Sequence, residues 1–361
     1  MKSLGKFPDS FGAELAAQPE AILAAAAGLR EQAGDLAEVS RAARDARAIV
    51  FTGMGGSYDV CHVPVTLLAE AGIPAIMVDG AELLHFRRPI LRKDTILVAA
   101  SQSGRSAEMV RLIERDDWPG GKPTVVSVTN GLESALARAS SVAFDTRAGT
   151  EAGPSTKTFA ASLVVLAAVA GALSGQEPGE VVRRVAAEAA VAAGALQTLL
   201  DREEELRSIA TAWIGDRPVL AVLGRGTARA CAEMAALLMK EAARFPAESM
   251  ESGQFRHGPL ELAGPDMAVA VVATEPATRD LDRVLAADLE RSGASVMVVG
   301  HEADGPASSP GPGYVGIGPV ARSLSSAVAM VPFQLLALQM AGDRGRDPLR
   351  LRVASKVTVR E

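Results

Sequence analysis

The chain is poor in the residues that build disulfide frameworks, metal sites and nucleic-acid surfaces. Its 361 residues include two cysteines, Cys61 and Cys231, so a disulfide framework is excluded and a reducing compartment is expected. The four histidines show no HxxxH or similar ligand spacing, which predicts no metal site. Lysine and arginine never cluster beyond pairs and the net charge is −6, which argues against a nucleic-acid partner.

A membrane segment and a leader are also missing from the pattern. The longest apolar stretch, 159–173, is interrupted by Ser162 and is short for a bilayer span, so we predict a buried helix and no membrane partner. The opening MKSLGKFPDS has no long apolar segment, which argues against a signal peptide. Together with the low cysteine count, these features predict a cytoplasmic protein.

Near-continuous apolar segments alternate with helical ones along the chain. AIVFTG (48–53) and TILVAAS (95–101) are typical of parallel strands covered on both faces. The alternation restarts after a long helical region at 156–214. We therefore predict an α/β protein of two doubly wound domains with parallel sheets, each in three αβα layers. The predicted parts are a helical segment at 1–47, domains at 48–200 and 201–342, and a closing tail at 343–361.

Two strand-to-helix turns resemble each other, IVFTGMGGS (49–57) and LAVLGRGTA (220–228). Each carries GxG, which suggests a dinucleotide site. The third glycine of that fingerprint is replaced by Tyr58 in the first turn and by Arg229 in the second, which disfavours a nicotinamide cofactor. The need for a tight turn explains the glycines equally well.

The segment SQSGRS (101–106) predicts a phosphate site. Hydroxyl and amide donors come from Ser101, Gln102, Ser103 and Ser106. Gly104 lets the backbone approach a ligand closely, and a helix that begins near Ser103 would add its free N–H groups. An ordinary serine cap explains one serine but not three with a glutamine.

Candidate acid/base groups lie in the second half of the chain. Glu241 sits on an otherwise apolar helix, which suits proton transfer, although a solvated helix charge is the simpler alternative. His257, in RHGP, is a candidate acid/base near neutral pH. Seven lysines stand against thirty arginines, which draws attention to Lys356 as a deprotonatable amine. In AGTEAGPST, Glu151 and Ser155 could contact a sugar or cap neighbouring turns.

Seven motifs occur in a characteristic order: MGGSY, SQSGRSAE, AGTEAGPSTKTF, LGRGTA, KEAARFPAESMESGQFRHGPL, VPFQLLA and SKVTV. With them the chain resembles the sugar isomerase (SIS) superfamily, and more closely the isomerase half of glucosamine-6-phosphate synthase and its stand-alone relatives. The resemblance covers nearly the whole chain. It implies two flavodoxin-like domains, a homodimer with a site shared between subunits, a sugar phosphate in the first domain, and no cofactor.

The resemblance also implies residue roles. Glu241 matches the base that moves a proton between C1 and C2. His257 matches a ring-opening histidine that reaches in from the partner subunit. Lys356 matches a C-terminal lysine that approaches the sugar carbonyl and is capable of a Schiff base. The implied phosphate and sugar contacts are Gly55, Gly56, Ser57, Ser101, Gln102, Ser103, Ser106, Glu151 and Ser155.

Departures from the synthase pattern shape the functional prediction. Leu238 replaces a lysine three residues before the base, Met234 replaces a glutamate, and Gly56 replaces a threonine. The start MKS lacks the glutaminase cysteine, so glutamine-dependent synthesis by this chain alone is not expected. We predict a glucosamine-6-phosphate deaminase. The alternatives are a phosphosugar isomerase, amination with ammonia from elsewhere, and a sensor without catalysis, for which 1–47 is too short to supply a helix-turn-helix.

Overall fold

The computed structural model describes residues 11–301 and 313–360. The segment MKSLGKFPDS, on which the signal-peptide prediction rests, lies outside the described residues. The chain divides into two compact units that each contain one sheet.

Helices and short strands alternate in the first part of the chain, as the apolar pattern predicts. Its helices are α1 (Phe11–Ala16), α2 (Gln18–Glu31), α3 (Ala33–Asp45), α4 (Gly56–Asp59), α5 (His62–Glu70), α6 (Gly80–Glu82), α7 (Ala107–Ile113), α8 (Ala135–Ala139), α9 (Lys157–Leu173) and α10 (Pro178–Asp201). Its strands are β1 (Ala48–Thr52), β2 (Ala75–Met77), β3 (Thr95–Ala100), β4 (Thr124–Thr129) and β5 (Val142–Asp145). A π-helical turn at Leu83–Arg87 and a 3₁₀ turn at Arg88–Ile90 follow α6.

The second part of the chain repeats the alternation. Its helices are α11 (Glu203–Ile214), α12 (Ala228–Leu238), α13 (Ser252–Phe255), α14 (Arg279–Arg291), α15 (Arg322–Ala329) and α16 (Val331–Asp343). Its strands are β6 (Val219–Gly224), β7 (Ala247–Glu251), β8 (Met267–Ala273), β9 (Ser295–Gly300) and β10 (Tyr314–Gly316). A π-helical turn at Met239–Ala243 continues α12, and 3₁₀ turns lie at Pro259–Leu262 and Pro276–Thr278.

The β1–β5 unit comprises Glu20–Glu151, Lys157–Ala190 and the described part of Val353–Glu361. Its sheet is parallel throughout, in the order β2-β1-β3-β4-β5. All six residues of β3 are buried, because helices cover both faces of the central strands. The predicted buried helix is confirmed, since 15 of the 17 residues of α9 are buried.

The β6–β10 unit comprises the described parts of Met1–Pro19, Ala152–Thr156 and Val191–Arg352. Its parallel sheet has the order β10-β9-β8-β6-β7. Read from β7, this is the strand order of the first sheet, 2-1-3-4-5, which is the flavodoxin-like arrangement. The prediction of two doubly wound α/β domains is therefore confirmed.

One helical stretch, Arg322–Asp343, is long and apolar enough to cross a membrane by length and composition. Inside the protein, 89% of its most apolar 18-residue window is buried. A buried Gln334 on this stretch exchanges two hydrogen bonds of 3.0 Å with the side-chain amide of Gln18. The stretch therefore has the environment of a core helix in the β6–β10 unit.

Candidate active site

The strand order of the β1–β5 unit reverses between β1 and β3, and two loops follow these strands. We call the loops 53–57 and 101–106 the first switch point. Because both strands are parallel neighbours, with Thr52 paired to Ala99, their carboxyl ends present both loops at one edge of the sheet. Ligands of doubly wound proteins bind at this place. The predicted phosphate residues therefore lie at the position that the fold favours for a ligand.

The loop after β1 makes a tight turn that only glycine accommodates. A Cβ on Gly53 would lie 2.5 Å from the carbonyl oxygen of Ser57, and Gly55 adopts a positive φ of 53°. Ser57 lies in the short helix that follows. Its Oγ accepts a hydrogen bond of 3.3 Å from the backbone N–H of Gln102. The two predicted phosphate loops are thus joined to each other.

Serine hydroxyls line the loop after β3. The Oγ atoms of Ser101 and Ser106 are 3.3 Å apart. The backbone N–H of Gly104 donates to the Oγ of Ser101 at 3.2 Å, and the N–H of Arg105 donates to the Oγ of Ser103 at 3.2 Å. One hydroxyl of the Ser101–Ser106 pair donates to the other, and a serine hydroxyl that accepts from the backbone can rotate its own O–H towards a ligand. Such a loop can donate several hydrogen bonds to one oxyanion.

The helix after this loop begins later than the sequence suggests. α7 starts at Ala107 with Ser106 as its N-cap, not near Ser103. The intervening residues turn instead, because Gly104 has a φ of 58°. A Cβ there would lie 2.1 Å from the Oγ of Ser134. The donors of this loop are therefore the hydroxyls and amides of a turn.

A residue that the sequence reasoning missed organises this edge of the sheet. Asn130, directly after β4, donates its N–H to the carbonyl of Gln102 at 3.0 Å. Its Oδ1 accepts from Thr146 and from the N–H of Ala148, both at 3.0 Å, and its Nδ2 donates to the carbonyl of Gly149 at 2.8 Å. Asn130 thus ties the loop after β3 to the loop after β5. An asparagine at a strand end was the signal that could have indicated it.

Glu151 and Lys356 form an ion pair in the β1–β5 unit. Lys356 Nζ is 2.9 Å from Glu151 Oε2, and the carboxylate is fully buried while the lysine side chain is 25% exposed. Thr158 donates its N–H to Glu151 Oε1 at 3.1 Å and its hydroxyl to Oε2. Two residues beyond the lysine, the carbonyl of Thr358 accepts from the N–H of Ala107 at 3.1 Å. The tail is therefore held beside the serine loop. The Glu151 carboxylate already accepts hydrogen bonds from Thr158 and Lys356.

Three further predicted site residues, Glu241, His257 and Ser155, belong to the β6–β10 unit. Glu241 is half-buried in the π-helical turn that continues α12. His257 is exposed, and its N–H donates to the carbonyl of Gln254 in a turn after α13. Ser155 is half-buried, two residues before α9. Lys240 points elsewhere, since it is exposed and pairs with Glu248 at 3.3 Å.

The face of α12 that leads to Glu241 is apolar. Leu238 and Met234, which replace charged residues of the synthase pattern, are both fully buried. Burial also raises the pKa of the thiol of Cys231 on the same helix well above its usual range. The two cysteines are buried and free, so neither is an exposed nucleophile. The two departures on α12 are therefore core positions in this chain, whereas the third, Gly56, is half-buried in the loop after β1.

No cluster of three or more His, Cys, Asp or Glu side chains suited to a metal ion occurs within residues 11–301 and 313–360. That the reaction needs no cofactor stays a sequence-based prediction.

The fold and the loops define a flavodoxin-like α/β protein with a hydroxyl-lined switch point. The SIS domain model matches residues 43–172 and 216–341, and the chain belongs to the SIS domain family. The two matched regions contain the two sheets.

Proteins with related sequences are named as glutamine–fructose-6-phosphate aminotransferases. The chain is 30% identical to the glutamine–fructose-6-phosphate aminotransferase (isomerizing) of Pyrobaculum aerophilum, over 99% of this chain and 59% of that protein. It is 28% identical to enzyme 1 of the same name from Arabidopsis thaliana, over 96% of this chain and 53% of that protein. The chain therefore spans little more than half the length of these curated relatives.

Solved structures share the fold at lower identity. The C-terminal domain of glucosamine-fructose-6-phosphate aminotransferase from Francisella tularensis superposes with a TM-score of 0.82 at 23% identity, over 94% of this chain and 98% of that chain. Glucosamine-6-phosphate deaminase from Thermotoga maritima superposes with a TM-score of 0.67 at 20% identity, over 92% and 98% of the two chains. These similarities show that the architecture is common to proteins named for different sugar-phosphate reactions.

Proposed function

We propose that the chain is an amino-sugar phosphate deaminase that converts glucosamine 6-phosphate and water into fructose 6-phosphate and ammonia. The observation that carries this proposal is the first switch point, where hydroxyls of Ser101, Ser103 and Ser106 meet the loop of Ser57 at the carboxyl ends of β1 and β3. A phosphate ester needs several donors and close backbone approach, and this loop pair offers both.

The proposed chemistry divides between acid/base groups. His257 opens the sugar ring by moving the proton of the C1 hydroxyl to the ring oxygen. Glu241 then removes the proton from C2 of the open-chain aldehyde and returns it to C1, while a proton of the 2-amino group passes to O1. C1 thereby becomes an alcohol and C2 an imine. Water adds to this imine, and ammonia departs to give the ketose. Membership of the SIS domain family and the names of the matched relatives support a proton transfer of this kind.

Lys356 is proposed to act as a charged donor. Its Nζ lies 2.9 Å from Oε2 of the buried Glu151 carboxylate. A protonated amine donates hydrogen bonds to an oxygen of the open-chain sugar, whereas a Schiff base first requires loss of the proton. The deamination route above needs no covalent bond to the lysine.

A homodimer with a shared site is proposed from the resemblance to the SIS superfamily. Within one chain His257 is exposed, and Leu262 in the following 3₁₀ turn is 71% exposed. We propose that this histidine completes the site of a partner subunit.

The proposal is tested by incubating the purified protein with glucosamine 6-phosphate and measuring ammonia and fructose 6-phosphate. Both products should appear in equal amounts. Ketose without ammonia from an aldose phosphate would support the isomerase alternative, and glucosamine 6-phosphate formed only with added ammonium would support amination. If the protein binds a sugar phosphate but turns over no hexose or hexosamine 6-phosphate, the result would support the sensor alternative and contradict the proposal.

A further inference from the structure

The β6–β10 unit repeats the backbone of the first switch point. We call its loops 225–227, after β6, and 274–276, after β8, the second switch point. Gly226 has a φ of 52°, against 53° at Gly55. A Cβ on Gly224 would lie 2.8 Å from the carbonyl oxygen of Ala228, as a Cβ on Gly53 would crowd the carbonyl four residues later. The two strand-to-helix turns therefore have the same construction.

The chemistry at the second switch point is different, because a side chain of the protein fills it. The N–H and the hydroxyl of Thr227 donate to Glu275 Oε1 at 2.7 and 2.5 Å. A Cβ on Gly226 would lie 2.8 Å from the same oxygen. Arg322 binds the other oxygen, with 2.5 Å between Nη2 and Oε2. Glu275 is only 4% exposed, so the carboxylate is enclosed by the loop.

Glu275 occupies the position in the second sheet that Gln102, a predicted phosphate-binding residue, occupies in the first. Glu275 follows the end of β8 by two residues, as Gln102 follows the end of β3. Gln102 reaches the opposite loop through its backbone, whereas Glu275 reaches it through its carboxylate. The N–H and hydroxyl that hold this carboxylate belong to the N-cap of α12, a helix of 11 residues. Phosphate groups bind donors of this kind.

We propose that the second switch point is an anion-binding site which the protein closes with its own Glu275, and that removal of this carboxylate opens it to inorganic phosphate. The arginine, the hydroxyl and the backbone N–H would then bind the free anion as they bind the carboxylate now. A consequence for the native protein is that a phosphate ester does not bind at the second switch point. The proposal concerns a different unit from the proposed active site and does not depend on it.

The neighbouring charges form a hydrogen-bonded network that shares no bond with the Glu275 carboxylate. Arg225 binds Asp282 at 2.8 Å and Glu251 at 3.2 Å, and Thr278 donates to Asp282 at 3.1 Å. Arg225 is therefore already paired with two carboxylates other than Glu275. Arg322, at 30% side-chain exposure, is the cation that loses its carboxylate when Glu275 is removed.

The experiment compares the melting temperature of three full-length proteins during a phosphate titration at constant ionic strength. They are the wild type, Glu275→Ala and the matched control Glu203→Ala. Glu203 is also buried and pairs with Arg207 at 2.6 Å, but along one helix and not across strand-end loops. We expect phosphate to raise the Tm of Glu275→Ala by about 2–4 °C more than that of the other two proteins. The first switch point is unchanged in all three, so phosphate bound there cancels.

Two outcomes overturn the proposal. One is an equal response of all three proteins to phosphate. The other is a response of Glu275→Ala to acetate, which replaces the deleted carboxylate, without a response to phosphate. If Glu275→Ala does not fold, Glu275→Ser is measured in the same way, because its hydroxyl offers Thr227 a partial substitute. Folding of either variant only in the presence of phosphate supports the proposal.

Discussion

The two switch points share a backbone conformation but carry different side chains. Both follow the first and third strands of a sheet with the order 2-1-3-4-5, and both turn on a glycine with a φ near 50°. The first is lined by serine hydroxyls, whereas the second holds the carboxylate of Glu275 against Arg322. The comparison teaches that the repeated fold supplies two equivalent places, and that the residue two positions beyond the third strand contacts the opposite loop through its backbone in one and through a carboxylate in the other.

The proposed base makes the strongest prediction. If Glu241 moves the proton between C2 and C1, Glu241→Gln should lower kcat by about 10²- to 10⁴-fold, because a positioned proton-transfer group contributes that much. Steady-state kinetics with glucosamine 6-phosphate measure it. Glu290→Gln, an exposed change on α14 of the same unit, should leave kcat unchanged. Full activity in Glu241→Gln contradicts the assigned role.

The shared site makes a second prediction about the same unit. Glu241→Gln and His257→Ala should each be inactive alone, and mixing them under conditions that exchange subunits should restore activity. In a mixed dimer, one site would contain an intact glutamate and the partner's intact histidine. Activity is measured before and after mixing. No recovery, with subunit exchange verified by differently tagged chains, would place both groups within one chain.

The ion pair of Lys356 and Glu151 gives a smaller effect. Lys356→Met and Glu151→Gln should each lower kcat/KM by about 10- to 100-fold, because each removes a hydrogen bond to a charged group. The double variant should be little worse than either single variant, since both changes disable one interaction. A double-mutant cycle in kcat/KM measures the coupling. Losses that multiply would show that the lysine acts independently of this carboxylate.

Matched hydroxyl deletions separate the two switch points further. Ser106→Ala should raise KM about tenfold with little change in kcat, because a donor to the phosphate is lost. Thr227→Ala removes a hydroxyl from the second switch point and should lower the Tm without changing KM. Steady-state kinetics and thermal melts on both variants test this pair. A larger effect of Thr227→Ala on KM would reverse the assignment of the two loops.

The smallest effect concerns the titration of Asp282, which pairs with Arg225 of the second switch point. Burial raises the pKa of the Asp282 carboxyl to about 6, against the attraction of Arg225. Since the unfolded value lies near 3.9, the stability that this group contributes is present below about pH 4 and is lost as the pH rises through about 6. Relative to Asp282→Asn, the Tm of the wild type should therefore fall by about 2–4 °C over that range. A relative rise would have the wrong sign.

The sequence predicted the central strands and missed two edge strands. β8 (MAVAVVA) is buried at every residue, and such a run indicates a strand by itself. β7 (AESME) alternates between buried and exposed residues at the edge of its sheet, and β10 has three residues at the opposite edge. Edge strands are short and polar because one side faces no neighbouring strand. Their apolar signal is correspondingly weak.

The candidate site was predictable where neighbours in sequence supply it. Ser101, Ser103 and Ser106 follow one strand, so their grouping is visible in six letters. The pairing of Lys356 with Glu151 joins residues 205 positions apart, and the contact of Glu275 with Thr227 joins residues 48 apart. Such contacts depend on tertiary packing and not on local pattern. The glycine turns indicated two similar loops, but not that a carboxylate closes one of them.

The most direct test is a crystal structure of the protein grown with fructose 6-phosphate. We predict one phosphate group per chain, within hydrogen-bonding distance of the hydroxyls of Ser101, Ser103 or Ser106, with Glu275 still bound to Thr227 in the other unit. A sugar phosphate bound away from these serines, or one seated at the second switch point of the unaltered protein, would contradict the account.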